Sequence, residues 1–243
     1  ACLNRLLSCP EGHPGAARRQ RTQIMLIGLV SDIHGNYQAL SAVLVSAREK
    51  GVGRFICAGD LVGYYYDSDL CLAALEGESV EYVSGNHDRM LVELSRDSSL
   101  AKALSARFGS SYASTLKQLT NRQLDWLRSL PPVLEIEIGG RKLVVAHGSL
   151  WSDLDYVYPD SVDVLERLFS SARFDVCVLG NTHRQMHAIR GSRAVVNPGS
   201  VGQPRGDSRG RAQWATLRTT DMSIEFHTEL YDNQDLIARA RQE

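Results

Sequence analysis

No apolar run in this chain approaches the ~18–20 residues that a membrane-spanning helix needs, so no membrane partner is expected. There is no C-x-x-C pair among Cys2, Cys9, Cys57, Cys71 and Cys177. The odd count and the spacing argue against a disulfide framework and for a reducing compartment, so a cytoplasmic location is expected. Cys57 and Cys177 lie inside apolar strands and read as small core residues. Charge of one sign is also missing: 27 Lys and Arg stand against 28 Asp and Glu, for a net charge of -1. Nothing then pulls broadly on a nucleic-acid duplex, and none is expected as a partner. A small phosphate ligand is still compatible, because a local metal site supplies its own positive field. No repeat of fixed period and no long linker divides the chain. With 243 residues, 43% of them hydrophobic, it fits one large domain, or one domain plus a small cap.

Residues 1–23 differ from the rest. They hold two prolines and four arginines with no sustained period, and predict a loose N-terminal extension. Met25 is the expected original start. The Leu6-Leu7-Ser8-Cys9 run lacks the basic start and the apolar core of a signal peptide. The single domain is expected over 24–243.

What the sequence does have is one pattern, five times over. Ile24 to Val30 is a short apolar run of the kind buried on both faces of a sheet. It ends in Asp32 and His34, which share a face if the backbone stays extended. Gly35 then allows a sharp turn, and Asn36 can cap the next helix. The same grammar runs apolar strands into Gly59-Asp60, into Gly85-Asn86-His87-Asp88, into His147-Gly148, and into Gly180-Asn181-Thr182-His183. Each motif alone is ordinary turn or cap chemistry. Together they are not, because caps and turns do not require histidine at four strand ends. Sites in open α/β sheets gather at the carboxyl ends of strands, so these residues should meet.

The elements follow from spacing. Residues 37–50 place Leu40, Val43, Leu44 and Ala47 at helical intervals, and Gly51 ends that helix. Strands at 54–58 and 80–84 flank a short helix at 67–76, which makes a β-α-β-α-β unit. Residues 89–130 read as two or three helices broken near Gly109, with Thr120 capping the last, and are expected to form a flap over the site. Gly139-Gly140 turns a hairpin. A helix at 161–172 and a strand at 175–179 follow, and two more hairpins turn at Gly191 and near Asp221. The second half therefore predicts a largely antiparallel sheet. Two mixed sheets packed together with helices outside make a four-layer α/β/β/α sandwich. The glycine-rich basic loop 197–211 is either a solvated turn or a phosphate- or substrate-facing loop.

Carboxylate, imidazole and amide ligands in one place suit borderline divalent metals. Asp32, His34, Asp60, Asn86, His147, His183 and Asn181 are too many for one ion. A carboxylate shared by two ions is how two-metal hydrolases are built; the metal-bridging hydroxide attacks phosphorus in line. His87 need not bind metal, and its natural task is general acid toward the departing oxygen. Asp88 or another carboxylate would orient it. His13, His187 and His227 are expected to take no part.

As an ordered set, these motifs resemble those of the calcineurin-like metallophosphoesterase superfamily. The Asp32-Ile33-His34-Gly35-Asn36 wording and the Asn197-Pro198-Gly199-Ser200-Val201-Gly202-Gln203-Pro204-Arg205 run resemble its small bacterial and archaeal phosphodiesterase branch. The resemblance implies a first metal held by Asp32, His34, Asp60 and His183. It implies a second held by Asp60, Asn86 and His147, with Asp60 bridging and His87 facing the leaving group. Two divalent ions are implied, Mn first, with Fe, Zn, Ni, Co and Mg as alternatives. One position departs from the family: Asn181 stands where a histidine usually completes the second site. Tyr64-Tyr65-Tyr66 replaces a common Gly-Pro turn, and would either stack an aryl group or nucleobase or pack the flap. The expected activity is hydrolysis of a small phosphodiester or phosphomonoester. The alternative is a catalytically weakened relative serving as a metal-binding protein-interaction scaffold, as in the retromer subunit that resembles this branch. A homo-oligomer is left open.

Overall fold

The computed structural model describes residues 25–171, 174–206 and 210–242. The expectations for residues 1–23 lie outside them. The first strand, β1 (Leu26–Val30), leads into α1 (Tyr37–Glu49). Asn36 caps that helix as the sequence suggests, its side-chain oxygen accepting from Ala39 N at 3.1 Å. Next come β2 (Val52–Cys57), α2 (Ser68–Glu76) and β3 (Val80–Tyr82). The helical stretch starts earlier than its composition suggests: α3 runs Asn86–Arg96, so His87 and Asp88 lie in its first turn. The Asp88 carboxylate accepts from Gly85 N at 3.0 Å and fixes that start. A 3-10 turn at Ser98–Leu100 precedes α4 (Ala101–Phe108), α5 (Ser111–Gln118) and α6 (Asn121–Ser129). Thr120 and Gln123 form the capping box of α6.

The second half supplies β4 (Val133–Ile138), β5 (Arg141–Ala146), α7 (Val162–Ser171) and β6 (Val176–Val178). Then follow β7 (Gln185–Arg190), β8 (Arg193–Pro198), β9 (Arg211–Arg218) and β10 (Ile224–Leu230). A last helix, α8 (Gln234–Gln242), was not expected. One sheet has the order β10-β9-β1-β2-β3 and the other β4-β5-β6-β8-β7. The second sheet is not the largely antiparallel one expected. β5, β6 and β8 run parallel at its centre, and only its edge pairs are antiparallel. The third hairpin instead joins β1 of the first sheet. Hairpin signals specify a strand's sequence neighbour but not the sheet the pair enters.

Alternation along the strands builds the layers. Ile27 and Leu29 of β1 meet Val145, Val178 and Val196 between the two sheets. Val144, Ala146 and Cys177 point the other way, onto Leu168 and Phe169 of α7. On the far side, Val30, Phe55 and Trp214 face α1, α2, α3 and α6. Each buried Leu, Ile or Val contributes about 1.5–3 kcal/mol over exposure. The result is the four-layer sandwich, with the strand ends of both sheets left to carry loops. Cys57, Cys71 and Cys177 are buried free thiols, and no described helix is long and apolar enough to cross a membrane.

Candidate metal centre

The strand-end residues do meet, but not through an extended backbone. Asp32 and His34 have φ of 54° and 53°, and Asp60, Asn181 and His183 have 56°, 65° and 57°. All five lie in the left-handed region, where a non-glycine residue costs on the order of 1–3 kcal/mol and needs support from its surroundings. That support is a set of loop-to-loop hydrogen bonds. Asp32 N donates to Gly59 O (3.0 Å) and His34 N to Asp60 O (2.9 Å). Ser200 Oγ donates to Asp32 O at 2.7 Å, and Arg205 N to His183 O at 3.1 Å. The 197–205 stretch is therefore a buried brace under the ligand loops rather than a solvated turn.

Three histidines share one arrangement. Nδ1 of His34 faces Val62 O at 3.0 Å, that of His147 faces Ala58 O at 2.7 Å, and that of His183 faces Gln203 O at 2.6 Å. A carbonyl only accepts, so each Nδ1 carries a proton and each Nε2 is turned inward, a ligand wherever it is unprotonated. Those Nε2 atoms converge. His34 Nε2 and His183 Nε2 are 3.2 Å apart, and His147 Nε2 is 3.1 Å from Asn86 Oδ1. Burial, outweighing the Asp60 charge, holds His34 well below its ordinary value, in the neutral form that ligates metal.

Two carboxylates enter the same space. Asp60 Oδ1 accepts from His87 N at 2.8 Å. Its Oδ2 lies 3.1 Å from His147 Nε2 and 3.7 Å from His34 Nε2, between the two. Burial opposes both ionised groups, yet the pair wins: His147 keeps the Asp60 carboxyl far below its usual value, and Asp60 lifts His147 to about 10. The space thus attracts positive charge. Asp32 Oδ1 lies 3.3 Å from His183 Nε2, 3.8 Å from His34 Nε2 and 3.9 Å from His147 Nε2. Both Asp32 oxygens are buried with no hydrogen-bond donor. A buried carboxylate without donors is very costly unless a cation meets it. Three groups, Asp32-His34-His183, Asp32-Asp60-His147 and His34-Asp60-His87, each bring their ligand atoms within 4.8 Å of one another. The donor set and its orphaned oxygens fit divalent metal.

His87 is held differently. Its Nδ1 meets the Tyr112 hydroxyl at 2.8 Å, and the two rings stack at 6.0 Å. A hydroxyl can donate to Nδ1, which leaves the proton on Nε2. Burial lowers His87 from its ordinary value, against the raising effect of Asp60. The expectation that Asp88 orients His87 is corrected by the contacts. Asp88 Oδ2 accepts from Asp60 N (2.9 Å) and Gly85 N (3.0 Å), and Oδ1 from Leu61 N (2.9 Å) and Val62 N (3.1 Å). Asp88 is a clamp on the Asp60 loop. Burial and the Asp60 charge push it up to about 7 while those donors hold it down.

Asn181 is the predicted ligand that no such contact ties to the cluster. Its amide nitrogen donates to Asp153 O (3.2 Å) and Asp155 O (2.9 Å), leaving its oxygen uncommitted. The three tyrosines divide their work. Tyr64 sets its ring 4.6 Å from His34 and 4.8 Å from His87. Tyr65 hydrogen-bonds Gln203, and Tyr66 O accepts from Gln118 of α5. Phe108 also reaches His87, at 4.8 Å. Tyr112 and Phe108 were missed because helical periodicity marks them only as packing residues. His187 packs on Phe226 and His227 on Trp214, away from the centre.

Residues 25–222 match the calcineurin-like phosphoesterase superfamily domain. The chain belongs to that superfamily, whose members are metal-dependent hydrolases acting on phosphoesters. It is 29% identical over 232 residues to the uncharacterised protein MJ0912 of Methanocaldococcus jannaschii, covering 85% of this chain and 88% of that one. A metallophosphoesterase from Sphaerobacter thermophilus superposes with a TM-score of 0.73 at 27% identity, over 90% of this chain and 94% of that one. The hypothetical protein PH1004 of Pyrococcus horikoshii OT3 shares the fold with a TM-score of 0.80 at 20% identity, over 90% and 93%.

Proposed function

We propose that this chain is a two-metal phosphoesterase that hydrolyses small phosphodiesters or phosphomonoesters, with manganese as its working ion. The observation that carries it is the convergence of three inward Nε2 atoms on Oδ1 of Asp32, a buried carboxylate neither of whose oxygens has a hydrogen-bond donor. Asp32, His34 and His183 would hold one ion and Asn86 and His147 the other, with the Asp60 carboxylate between them. Asn181 would add its uncommitted side-chain oxygen to the second. Bound divalent ions supply Lewis acidity, lowering the pKa of a coordinated water toward about 7 and offsetting charge on phosphoryl oxygens.

The chain's own groups do the rest. His87 would act as the imidazolium: its Nδ1–H donates to the Tyr112 hydroxyl oxygen and its Nε2 proton passes to the departing oxygen, which returns the ring to neutral imidazole with the Tyr112 hydroxyl donating to Nδ1. The rings of Tyr64 and Phe108 cover His87 and exclude water from that transfer. Residues 89–130 act as the flap that carries Phe108 and Tyr112. The buried thiols fit work in the cytoplasm.

The test is hydrolysis of bis-p-nitrophenyl phosphate and p-nitrophenyl phosphate by metal-stripped protein titrated with manganese, beside His87→Ala. Metal-dependent turnover that falls by about 10²–10⁴ in the variant is expected of a general acid. No turnover of either ester with any divalent metal would turn the account toward a metal-binding scaffold.

A further inference from the structure

Beside the metal centre, the structure carries a second cluster that the hydrolytic chemistry does not use. Arg205 is the last residue of the brace, and its backbone is bonded to His183 O at 3.1 Å. Its side chain hydrogen-bonds the Tyr64 hydroxyl. Its guanidinium lies 5.9 Å from the centre of the Tyr156 ring. Among the described residues no carboxylate pairs with it. Tyr156 is 46% exposed and lies nearly parallel to Tyr158, at 13° and 6.2 Å. Tyr158 in turn lines a cavity of about 650 Å³ with Asp160, Thr182 and Arg184.

Tyr64 itself is strained, with φ of 29°, a value that a non-glycine residue keeps only where its surroundings require it. Its ring is fixed by His34 and Phe108, so its hydroxyl aims Arg205 from a rigid base. A guanidinium with no carboxylate partner among the described residues, on a residue whose backbone is bonded to His183 O, suits a phosphoryl oxygen. A half-exposed tyrosine backed by a parallel second ring offers a flat wall for another ring. The loop bearing Tyr156 is not loose. Asn181 holds its carbonyls at Asp153 and Asp155, and Arg89 pairs with Asp153 at 2.8 Å.

We infer that Arg205 and Tyr156 form a substrate subsite for phosphoesters bearing a flat aromatic group, aryl or nucleobase, with Arg205 on the phosphoryl group and Tyr156 against the ring. The subsite rests on the phosphoesterase reading of the centre. The cavity beyond Tyr158 is within the usual range for small-molecule sites, and leaves room for a group larger than one ring.

The experiment is calorimetric binding of phenylphosphonate and methylphosphonate to manganese-loaded protein. Phenylphosphonate should bind about tenfold tighter, the scale of one aromatic stacking contact. Tyr156→Ala should bring the two affinities together, and Tyr156→Phe should keep them apart. Arg205→Ala should weaken both phosphonates alike. Equal binding by the wild type, or a preference that survives Tyr156→Ala, would overturn the ring site. Unchanged binding in Arg205→Ala would overturn the phosphoryl contact. Failure of both phosphonates to bind, together with no hydrolysis of bis-p-nitrophenyl phosphate, would remove the underlying phosphoesterase reading instead.

Discussion

What separates His87 from His34, His147 and His183 is the atom at Nδ1. The three have a carbonyl there and turn Nε2 inward, while His87 has the Tyr112 hydroxyl. Tyr112→Phe should therefore slow esters with poor leaving groups, such as phenyl, by about tenfold, as expected when a general acid is misplaced. p-Nitrophenyl esters, which depart with little help, should be nearly spared. A leaving-group series read as kcat checks this, and equal losses across it would contradict it. Gly63 bears on the same ring: a Cβ there would lie 2.4 Å from His87 Nδ1, at a φ of 103°. Gly63→Ala should cost activity while metal affinity survives, which elemental analysis of the purified variant would show. The clustered Asp, Asn and His residues were legible in the sequence because each follows an apolar strand. The left-handed backbone that aims them was not, because an Asp-x-His pair reads equally well as extended chain.

At the scale of elements, the centre depends on how α3 begins. Asp88 gathers four backbone donors from two loops, and a Cβ on Gly85 would lie 2.1 Å from Asp60 Oδ1. Asp88→Asn replaces one accepting oxygen by a donor facing backbone N–H groups. It should destabilise the fold by about 2–3 kcal/mol, the value of lost hydrogen bonds to a buried charge, measured by denaturant unfolding. An unchanged midpoint would mean that the clamp contributes nothing. Sequence patterns gave α1, α6 and the Gly139-Gly140 hairpin nearly to the residue, because caps and turn glycines are local signals. They misplaced the start of α3, where the helix signal is a carboxylate shared between loops. They passed over α8, whose buried face holds Leu236 alone among its residues.

For the whole molecule, two sheets and several loops meet at one buried acidic cluster, so a metal bound there would stabilise the fold. A ligand that binds only the folded state at 100 times its Kd stabilises by about 2.7 kcal/mol. Manganese should raise the Tm of the stripped protein in a concentration-dependent way, and a Tm blind to divalent ions would argue against the centre. The sandwich was legible from the order of strands and helices. The parallel core of the second sheet was not, since β5, β6 and β8 are neighbours only through crossovers that leave no mark in the local sequence.

The most direct measurement is calorimetric titration of metal-stripped protein with manganese, beside Asp60→Ala. Saturation near two ions per chain is expected for the wild type, with the second binding event lost or severely weakened in Asp60→Ala because the shared carboxylate is gone. Absence of saturable binding to the wild type, or identical isotherms for both proteins, would contradict a dinuclear centre built on Asp60.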